Sequence, residues 1–283
     1  MVIAIPHRRD ICYSRLAYQP RGYAEEDGKN GKRRGRLADE ISIMTTALEN
    51  KSTTAEIRAR FDHDVERFSC LETGQKATID AVLVLELVAQ MSAMHLRPGD
   101  TVLDIGCGAG NFTLRILQEV SPLDCHLVDL SQPMLTRAEE RIHQIGVASV
   151  HSYQGDFRAL PFGNSSFDCI LAGAVLHHLR DEKDWQVAFK CFHSWLRPNG
   201  RIYVSDLAYF EVPDAQQIMW KRYGEYLESL GGKEFRAKVF AYIDKEDSPR
   251  SLPFQLDLLK ATGFSNYDIL HRNSVFACYF GVK

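Results

Sequence analysis

Short apolar segments alternate with longer amphipathic segments over most of residues 96–283. The short runs are rich in β-branched residues, which is typical of buried strands, and the longer segments repeat apolar positions at helical spacing. Strands that alternate with helices predict a parallel sheet with right-handed crossovers. The five predicted parallel strands lie at residues 101–105, 125–129, 150–156, 169–174 and 201–206.

The last part of the chain has a different pattern. A helix over residues 251–264 is expected to stop at its glycine, and residues 267–270 and 274–282 then predict two mostly antiparallel strands. The fold class expected is therefore α/β and Rossmann-like, with a mostly parallel sheet, an antiparallel C-terminal hairpin and helices on both faces. A helical insertion is expected at about residues 207–250, where aromatic side chains predict either a substrate pocket or a dimer surface, so that a homodimer is one of the expected assemblies.

Two further regions precede this domain of residues 96–283. Residues 51–95 predict a helical cap, with one amphipathic helix over 54–68 and a more apolar one over about 75–95. Residues 1–50 contain a basic cluster at 28–36 and predict a disordered tail rather than a nucleic-acid-binding arm. Translation from Met44 is an alternative start.

Composition narrows the functional classes. The chain has 283 residues, 45% of them hydrophobic, and a formal net charge of −3, which argues against general binding to polyanions. Its seven cysteines are scattered without metal-ligand spacing, which predicts free thiols in a reducing compartment and no structural zinc. No apolar run approaches the roughly 18 residues that span a membrane. We therefore expect a cytoplasmic protein without a membrane partner.

The most informative stretch is residues 101–112, an apolar strand that ends in an acid and three alternating glycines and leads into a helix. Glycine can adopt positive φ and lets backbone N–H groups approach a ligand closely. The Gly-x-Gly-x-Gly spacing is one residue shorter than the dinucleotide pattern, which argues against an NAD-dependent oxidoreductase. A plain strand-to-helix turn is the alternative. The candidate ligand-binding residues here are Asp104, Gly106, Cys107, Gly108 and Gly110.

Acids also end the next two predicted strands. Asp129 follows the last glycine by about 20 residues, the spacing at which a carboxylate can accept both hydroxyls of a ribose. Its alternative role as a helix N-cap is less favoured because Ser131 can serve that purpose. Asp156 ends the third strand, and its alternative role is that of a turn residue after Gly155.

These motifs, together with Asp129-Leu130-Ser131-Gln132-Pro133-Met134 and Leu160-Pro161-Phe162 before the fourth strand, closely resemble class I S-adenosylmethionine-dependent methyltransferases. The resemblance covers roughly residues 96–282. It implies S-adenosylmethionine as cofactor, with its methionine part against the glycine loop and its ribose on Asp129. It also implies adenine contacts from Leu130, Met134, Asp156 and Phe157, and a close approach to Ala172. Residues 160–168 and 175–179 resemble the fourth-strand region of small-molecule methyltransferases, which implies a small-molecule acceptor. The absence of the Asn/Asp-Pro-Pro-Tyr/Phe signature argues against methylation of an adenine or glutamine amino group.

Candidate catalytic residues follow the fourth strand. His177 and His178 could take a proton from a hydroxyl or an acidic carbon near neutral pH. The alternative is that the pair begins a helix, with one ring packed and one exposed. A metal role is not expected, since neighbouring side chains on a helix point about 100° apart.

Two other functions remain open at this point. The N-terminal helix pair and the C-terminal strands are similar to those of tRNA wobble-uridine carboxymethyltransferases, which use a carboxylated cofactor; tRNA is therefore a less favoured partner, and Arg222 or Arg236 could meet the extra carboxylate. A non-catalytic regulator that kept cofactor binding is the second alternative.

Overall fold

The computed structural model describes residues 46–70, 74–145 and 148–283, all within the unit Ser42–Lys283. The predicted basic cluster at residues 28–36, most of the predicted tail and the alternative start at Met44 lie outside these ranges. Seven strands of the described residues form one sheet. They are β1 (Thr101–Ile105), β2 (Leu123–Asp129), β3 (Ala148–Gln154), β4 (Phe167–Gly173), β5 (Leu196–Leu207), β6 (Asn266–Asn273) and β7 (Phe276–Val282).

The strand order is β3-β2-β1-β4-β5-β7-β6. All pairings from β3 to β5 are parallel, and β7 is antiparallel to both β5 and β6. The predicted fold class is thus confirmed. Because the chain continues from β1 to β2 on one side and later returns to β4 on the other, the order reverses at β1. A crevice forms above the carboxyl ends of the strands at such a point.

Helices surround the sheet, and their bounds are α1 (Thr54–His63), α2 (Val65–Ser69), α3 (Ala81–Ala93), α4 (Asn111–Glu119), α5 (Gln132–Ile145), α6 (Glu182–Trp195), α7 (Pro213–Glu246) and α8 (Leu252–Thr262). The alternation of strand side chains builds two cores: Leu103 and Ile105 pack in one cluster with α6 and α8, whereas Val102 packs in the other with α3, α4 and α5. Within the described ranges, no helix is long and apolar enough to cross a membrane.

The two predicted cap helices are shorter than expected. The first predicted helix is divided in two. A capping box between Thr53 and Glu56 begins α1, which ends at His63. Asp64, with φ of −104° and ψ of 11°, interrupts the helix, and α2 follows it. The second begins at Ala81 because Asp80 adopts a left-handed φ of 58°. The Asp80 carboxylate accepts hydrogen bonds from side chains of β6, so a contact distant in sequence holds this turn.

The predicted insertion at 207–250 is dominated by α7, in which Gly231 and Gly232 break the helical geometry. Several of its aromatic side chains form a core. Trp220 and Tyr223 are buried and pack with Phe240, so the insertion builds a third apolar cluster of its own.

Candidate functional site

A cleft lies above the carboxyl ends of β1, β2 and β3. About 630 Å³ of space lies between its walls, counting the part that is open to solvent. Polar groups from several loops converge on it, as expected where an open α/β sheet reverses its strand order. Its lining residues are Thr54, Ile57, Gly106, Val128, Asp129, Leu130, Gly155, Asp156, Phe157, Arg158, Val175, His178, Leu179 and Arg180.

The loop after β1 forms one wall of this cleft. Gly106 and Gly108 have φ values of +63° and +51°, which L side chains rarely adopt. A Cβ on Gly106 would lie 2.5 Å from Val175 Cγ2, whereas a Cβ on Gly108 would meet nothing within 4 Å. The first glycine is therefore required for packing, and the second leaves open space beside the loop.

Asp129 lies at the centre of the cleft. Its Oδ2 accepts a hydrogen bond from Gly108 N at 2.9 Å, and its Oδ1 accepts one from Ser131 N at 2.9 Å. Burial raises the pKa of Asp129, and these N–H donors oppose that effect. Ser131 Oγ accepts from Met134 N at 3.3 Å and caps α5, so Asp129 keeps lone pairs for a ligand.

Asp156 also lines the cleft, but Arg158 contacts its carboxylate. The Arg158 guanidinium donates to both oxygens, and the Arg158 backbone N donates to Oδ1 at 2.9 Å. Burial alone would raise the pKa of Asp156, but these hydrogen bonds and the positive charge outweigh it and lower the pKa. The neighbouring Phe157 packs against Phe192, and the pair fixes this wall of the site.

Asp104 is buried beneath the glycine loop rather than exposed in the cleft. Its Oδ2 accepts a hydrogen bond from Thr113 Oγ1 at 2.7 Å. Burial raises the pKa of Asp104 to about 7, although the hydrogen bond acts in the opposite direction. This carboxyl therefore ties β1 to α4 below the loop.

The other residues of the predicted cofactor site are arranged around this frame. Leu130 lines the cleft, while Met134 is fully buried in α5. Cys107 is buried and Gly110 begins α4. Ala172 lies at the end of β4 beside a smaller cavity with Phe112 and Gly173. The cofactor roles of these residues remain predictions.

The two predicted catalytic histidines lie on a 3-10 turn, Leu176–His178, after β4. They do not begin a longer helix, and their ring centroids are only 4.2 Å apart. His177 is buried and its Nδ1 contacts Asp206 Oδ1 in a very short hydrogen bond. His178 lines the cleft, and its Nδ1 lies 3.4 Å from Asp247 Oδ1. We call His177, His178, Asp206 and Asp247 the histidine–aspartate cluster.

The two rings of this cluster have opposite electrostatic environments. Burial opposes protonation of His177, but the charges of Asp206 and Asp247 outweigh it and raise its pKa to about 9. Burial lowers the pKa of His178 well below its ordinary value, and the charge of His177 lowers it further. At neutral pH, His178 is therefore the ring that can accept a proton.

The cap residues lie next to this cluster. Arg60 donates to Glu246 Oε2 at 2.9 Å and to Tyr242 Oη at 2.7 Å, and Phe61 packs edge-on against His178 at 6.1 Å. Asp62 is close enough to Asp129 for its charge to raise the pKa of that carboxyl. The first cap helix thus covers the same end of the cleft as the histidines.

The cations predicted for a carboxylated cofactor do not line the cleft. Arg222 is exposed on α7, and Arg236 pairs with Glu228 at 2.8 Å. Arg158 and Arg180 line the cleft instead, and Arg180 donates to the backbone oxygens of Ser52 and Glu246.

Sequence reasoning missed two acids of the site. Asp206 ends β5, and the rule that located Asp129 at a strand end could have identified it. Asp247 follows α7, about 70 residues after the histidines, and no local pattern marks it. Only the packing of α7 against the turn after β4 brings Asp247 to His178.

Comparison with known families agrees with this geometry. Residues 102–200 match the family described as a methyltransferase domain. Demethylmenaquinone methyltransferase from Listeria monocytogenes is 26% identical over 199 residues, which cover 68% of this chain and 82% of that protein. The enzyme of the same name from Lactococcus lactis is 25% identical over 198 residues, covering 68% and 77%.

Two solved structures share the fold at low identity. A candidate O-methyltransferase from Nostoc punctiforme superimposes with a TM-score of 0.62 at 18% identity, covering 89% of this chain and 68% of that one. The [4+2]-cyclase SpnF superimposes with a TM-score of 0.57 at 15% identity, covering 82% and 96%. At this identity the likeness shows the architecture alone.

Proposed function

We infer from the methyltransferase domain at residues 102–200 that the chain is a class I S-adenosylmethionine-dependent methyltransferase, and we propose that it methylates a small-molecule acceptor next to His178. The observation that carries the proposal is the position of His178. It lines the same cleft as Asp129 and the glycine loop, so an acceptor there lies beside the cofactor site. S-adenosylmethionine supplies a methyl group on a sulfonium sulfur when it is bound.

The residues of the cleft fit this cofactor. Asp129 has acceptor capacity for ribose hydroxyls, and the space beside Gly108 admits a ligand close to the backbone. We propose that Leu130, Phe157 and Met134 support the adenine side and that Asp104 supports the loop from below.

The histidine–aspartate cluster supports activation of the acceptor. Methyl transfer forms a bond from the acceptor atom to the methyl carbon, breaks the sulfur–methyl bond, and releases the proton of the acceptor. His178 is neutral at pH 7 and can accept that proton, while the ring of His177, whose Nδ1 contacts Asp206, packs against the His178 ring. Arg60 and Phe61 limit access of water to this end.

The relatives named above suggest a first acceptor. Both are demethylmenaquinone methyltransferases, so demethylmenaquinone and its reduced form are the first compounds to test. Labelled S-adenosylmethionine would be incubated with the full chain and these compounds, and in parallel with tRNA. Transfer to the small molecule supports the proposal, whereas transfer to tRNA alone, or no binding of S-adenosylmethionine by calorimetry, overturns it.

A matched pair of variants tests the role of His178. His178→Gln is expected to lower kcat about 10²-fold or more while changing cofactor affinity little, as for loss of a general base. His143→Gln replaces an exposed histidine of α5 and is expected to behave like the natural chain. Equal activity in both variants contradicts the role of His178.

The two alternative functions make different predictions. A wobble-uridine carboxymethyltransferase would retain a carboxylated cofactor, which mass spectrometry of the released ligand detects. A non-catalytic regulator would bind S-adenosylmethionine without producing S-adenosylhomocysteine in the presence of any acceptor tested.

A further inference from the structure

The histidine–aspartate cluster contains a buried carboxylate that is left without a hydrogen bond. Asp247 has 0% exposure, and neither of its side-chain oxygens has a hydrogen-bond partner among the described residues. A buried carboxylate is costly unless a cation or several donors compensate its charge. His177 supplies a positive charge near Asp247, but at 3.6 Å its Nε2 makes no hydrogen bond to the carboxylate. Both oxygens of Asp247 are therefore available to a cation that binds more closely.

The distances around Asp247 are too long for strong hydrogen bonds. His177 Nε2 lies 3.6 Å from Asp247 Oδ1, and His178 Nδ1 lies 3.4 Å from the same oxygen. One potential ligand atom from each of His177, His178 and Asp247 lies within 4.8 Å of the other two. Two atoms that bind one ion at about 2.0–2.1 Å with tetrahedral angles lie about 3.4 Å apart. The spacing thus fits a shared metal ion.

Asp206 orients one of these rings. Its carboxylate accepts the hydrogen bond from His177 Nδ1, and its oxygens also accept from the backbone N–H groups of Leu176 and Leu207. With Nδ1 used in this way, Nε2 of His177 faces Asp247. A carboxylate behind a histidine ligand is the usual outer partner of a metal-bound imidazole.

We propose that His177, His178 and Asp247 bind one divalent transition-metal ion, which displaces the proton on His177 Nε2, with Asp206 as the outer partner of His177. Two imidazole nitrogens and one carboxylate suit zinc or iron(II), and a fourth position faces the cleft because His178 lines it. An acceptor hydroxyl at that position would lose its proton more readily. In that case His178 acts on the acceptor through the ion rather than as a free base. The purpose of the ion rests on the proposed function, but its binding does not.

The geometry removes the reason for which a metal role was not expected from the sequence. Adjacent histidines on an α-helix diverge, but on the turn Leu176–His178 the two rings lie in contact. A third ligand from the end of α7 then completes the set. No metal-ligand spacing along the chain could have indicated this site.

The chain provides an internal control for adventitious binding. Asp124, His126 and His151 form a second group of two histidines and one aspartate on β2 and β3. There, His151 Nε2 lies 3.1 Å from Asp124 Oδ1, Ser149 donates to the same carboxylate at 2.6 Å, and His151 is half exposed. The Asp124 carboxylate already has these polar partners, so we expect weaker metal binding at this group.

The test uses zinc and cobalt(II) as probes on the full chain. After chelation and dialysis, zinc binding would be measured by calorimetry and metal content by mass spectrometry. We expect one tight equivalent in the natural chain and in Asp124→Asn. Asp206→Asn should weaken binding about 10- to 100-fold, and Asp247→Asn at least as much. Cobalt(II) should give the visible absorption of a low-symmetry site, which a merely structural cluster would not give.

Each result decides the inference. Absence of zinc binding to the natural chain, or loss of zinc in Asp124→Asn with retention in Asp247→Asn, overturns it. Circular dichroism would show whether the variants fold. If Asp247→Asn does not fold, His178→Gln provides a second variant that removes a ligand. Cofactor titration is read separately: a chain that binds S-adenosylmethionine without binding zinc refutes the metal site and leaves the proposed function standing.

Discussion

Replacing the first glycine of the loop is expected to destabilise the fold more than replacing the second. Alanine at Gly106 or Gly108 must adopt positive φ in either case, which costs about 1–2 kcal/mol. Only at Gly106 does the new Cβ collide with a neighbour, 2.5 Å from Val175 Cγ2. Overpacking of this kind costs about 1–3 kcal/mol more.

The expected free energies of unfolding therefore differ. Gly106→Ala should lose about 2–5 kcal/mol and Gly108→Ala about 1–2 kcal/mol. The difference corresponds to a Tm lower by roughly 2–12 °C for Gly106→Ala, at about 2–4 °C per kcal/mol. Urea unfolding followed by circular dichroism measures both variants on the same baseline.

Cofactor affinity should show a different contrast. The Cβ of Gly108→Ala enters the open space in which we place the cofactor, so the dissociation constant of this variant for S-adenosylmethionine should rise about tenfold or more, although it is destabilised less than Gly106→Ala. Calorimetric titration measures this change.

A second substitution tests the cause of the instability. Val175→Ala keeps the Cβ that lies 2.7 Å from the new methyl group, so only Val175→Gly removes the collision. We expect Val175→Gly to recover part of the stability lost in Gly106→Ala and to stabilise neither Gly108→Ala nor the natural chain. Equal destabilisation of the two alanine variants, or no recovery, would refute the reasoning.

Two further outcomes follow from the buried acids. Burial raises the pKa of Asp104 from 3.8 in the unfolded chain to about 7, so the folded state keeps a proton that the unfolded state has lost, and stability falls as pH rises from about 4 to 7. This loss corresponds to about 4 kcal/mol at about 1.4 kcal/mol per pKa unit. Asp104→Asn should abolish it in urea unfolding measured between pH 4 and 7, and an unchanged pH profile would contradict the assignment. Asp129→Asn should weaken S-adenosylmethionine binding about 10- to 100-fold, because an amide donor then faces the N–H of Gly108 or Ser131. Unchanged affinity by calorimetry would exclude Asp129 from the cofactor site.

The sequence alone determined the sheet, the glycine loop and the acids at the ends of β2 and β3. These features depend on short-range patterns: alternation of apolar residues, helical periodicity, and glycines directly after a strand. Because parallel strands place their carboxyl ends at one edge, Asp129 and Asp156 were expected beside the same ligand, and both line the cleft.

Only the tertiary structure decided how the polar end of the cleft is arranged. Asp247 lies beside His178 because of the packing of α7, and the Arg158 guanidinium donates hydrogen bonds to the carboxylate of Asp156. The start of α3 likewise depends on contacts from β6 to Asp80, and the aromatic side chains of α7 fill a core that periodicity could not distinguish from a pocket. These contacts join residues far apart along the chain, and their partners are selected by burial and charge in the folded molecule rather than by local spacing.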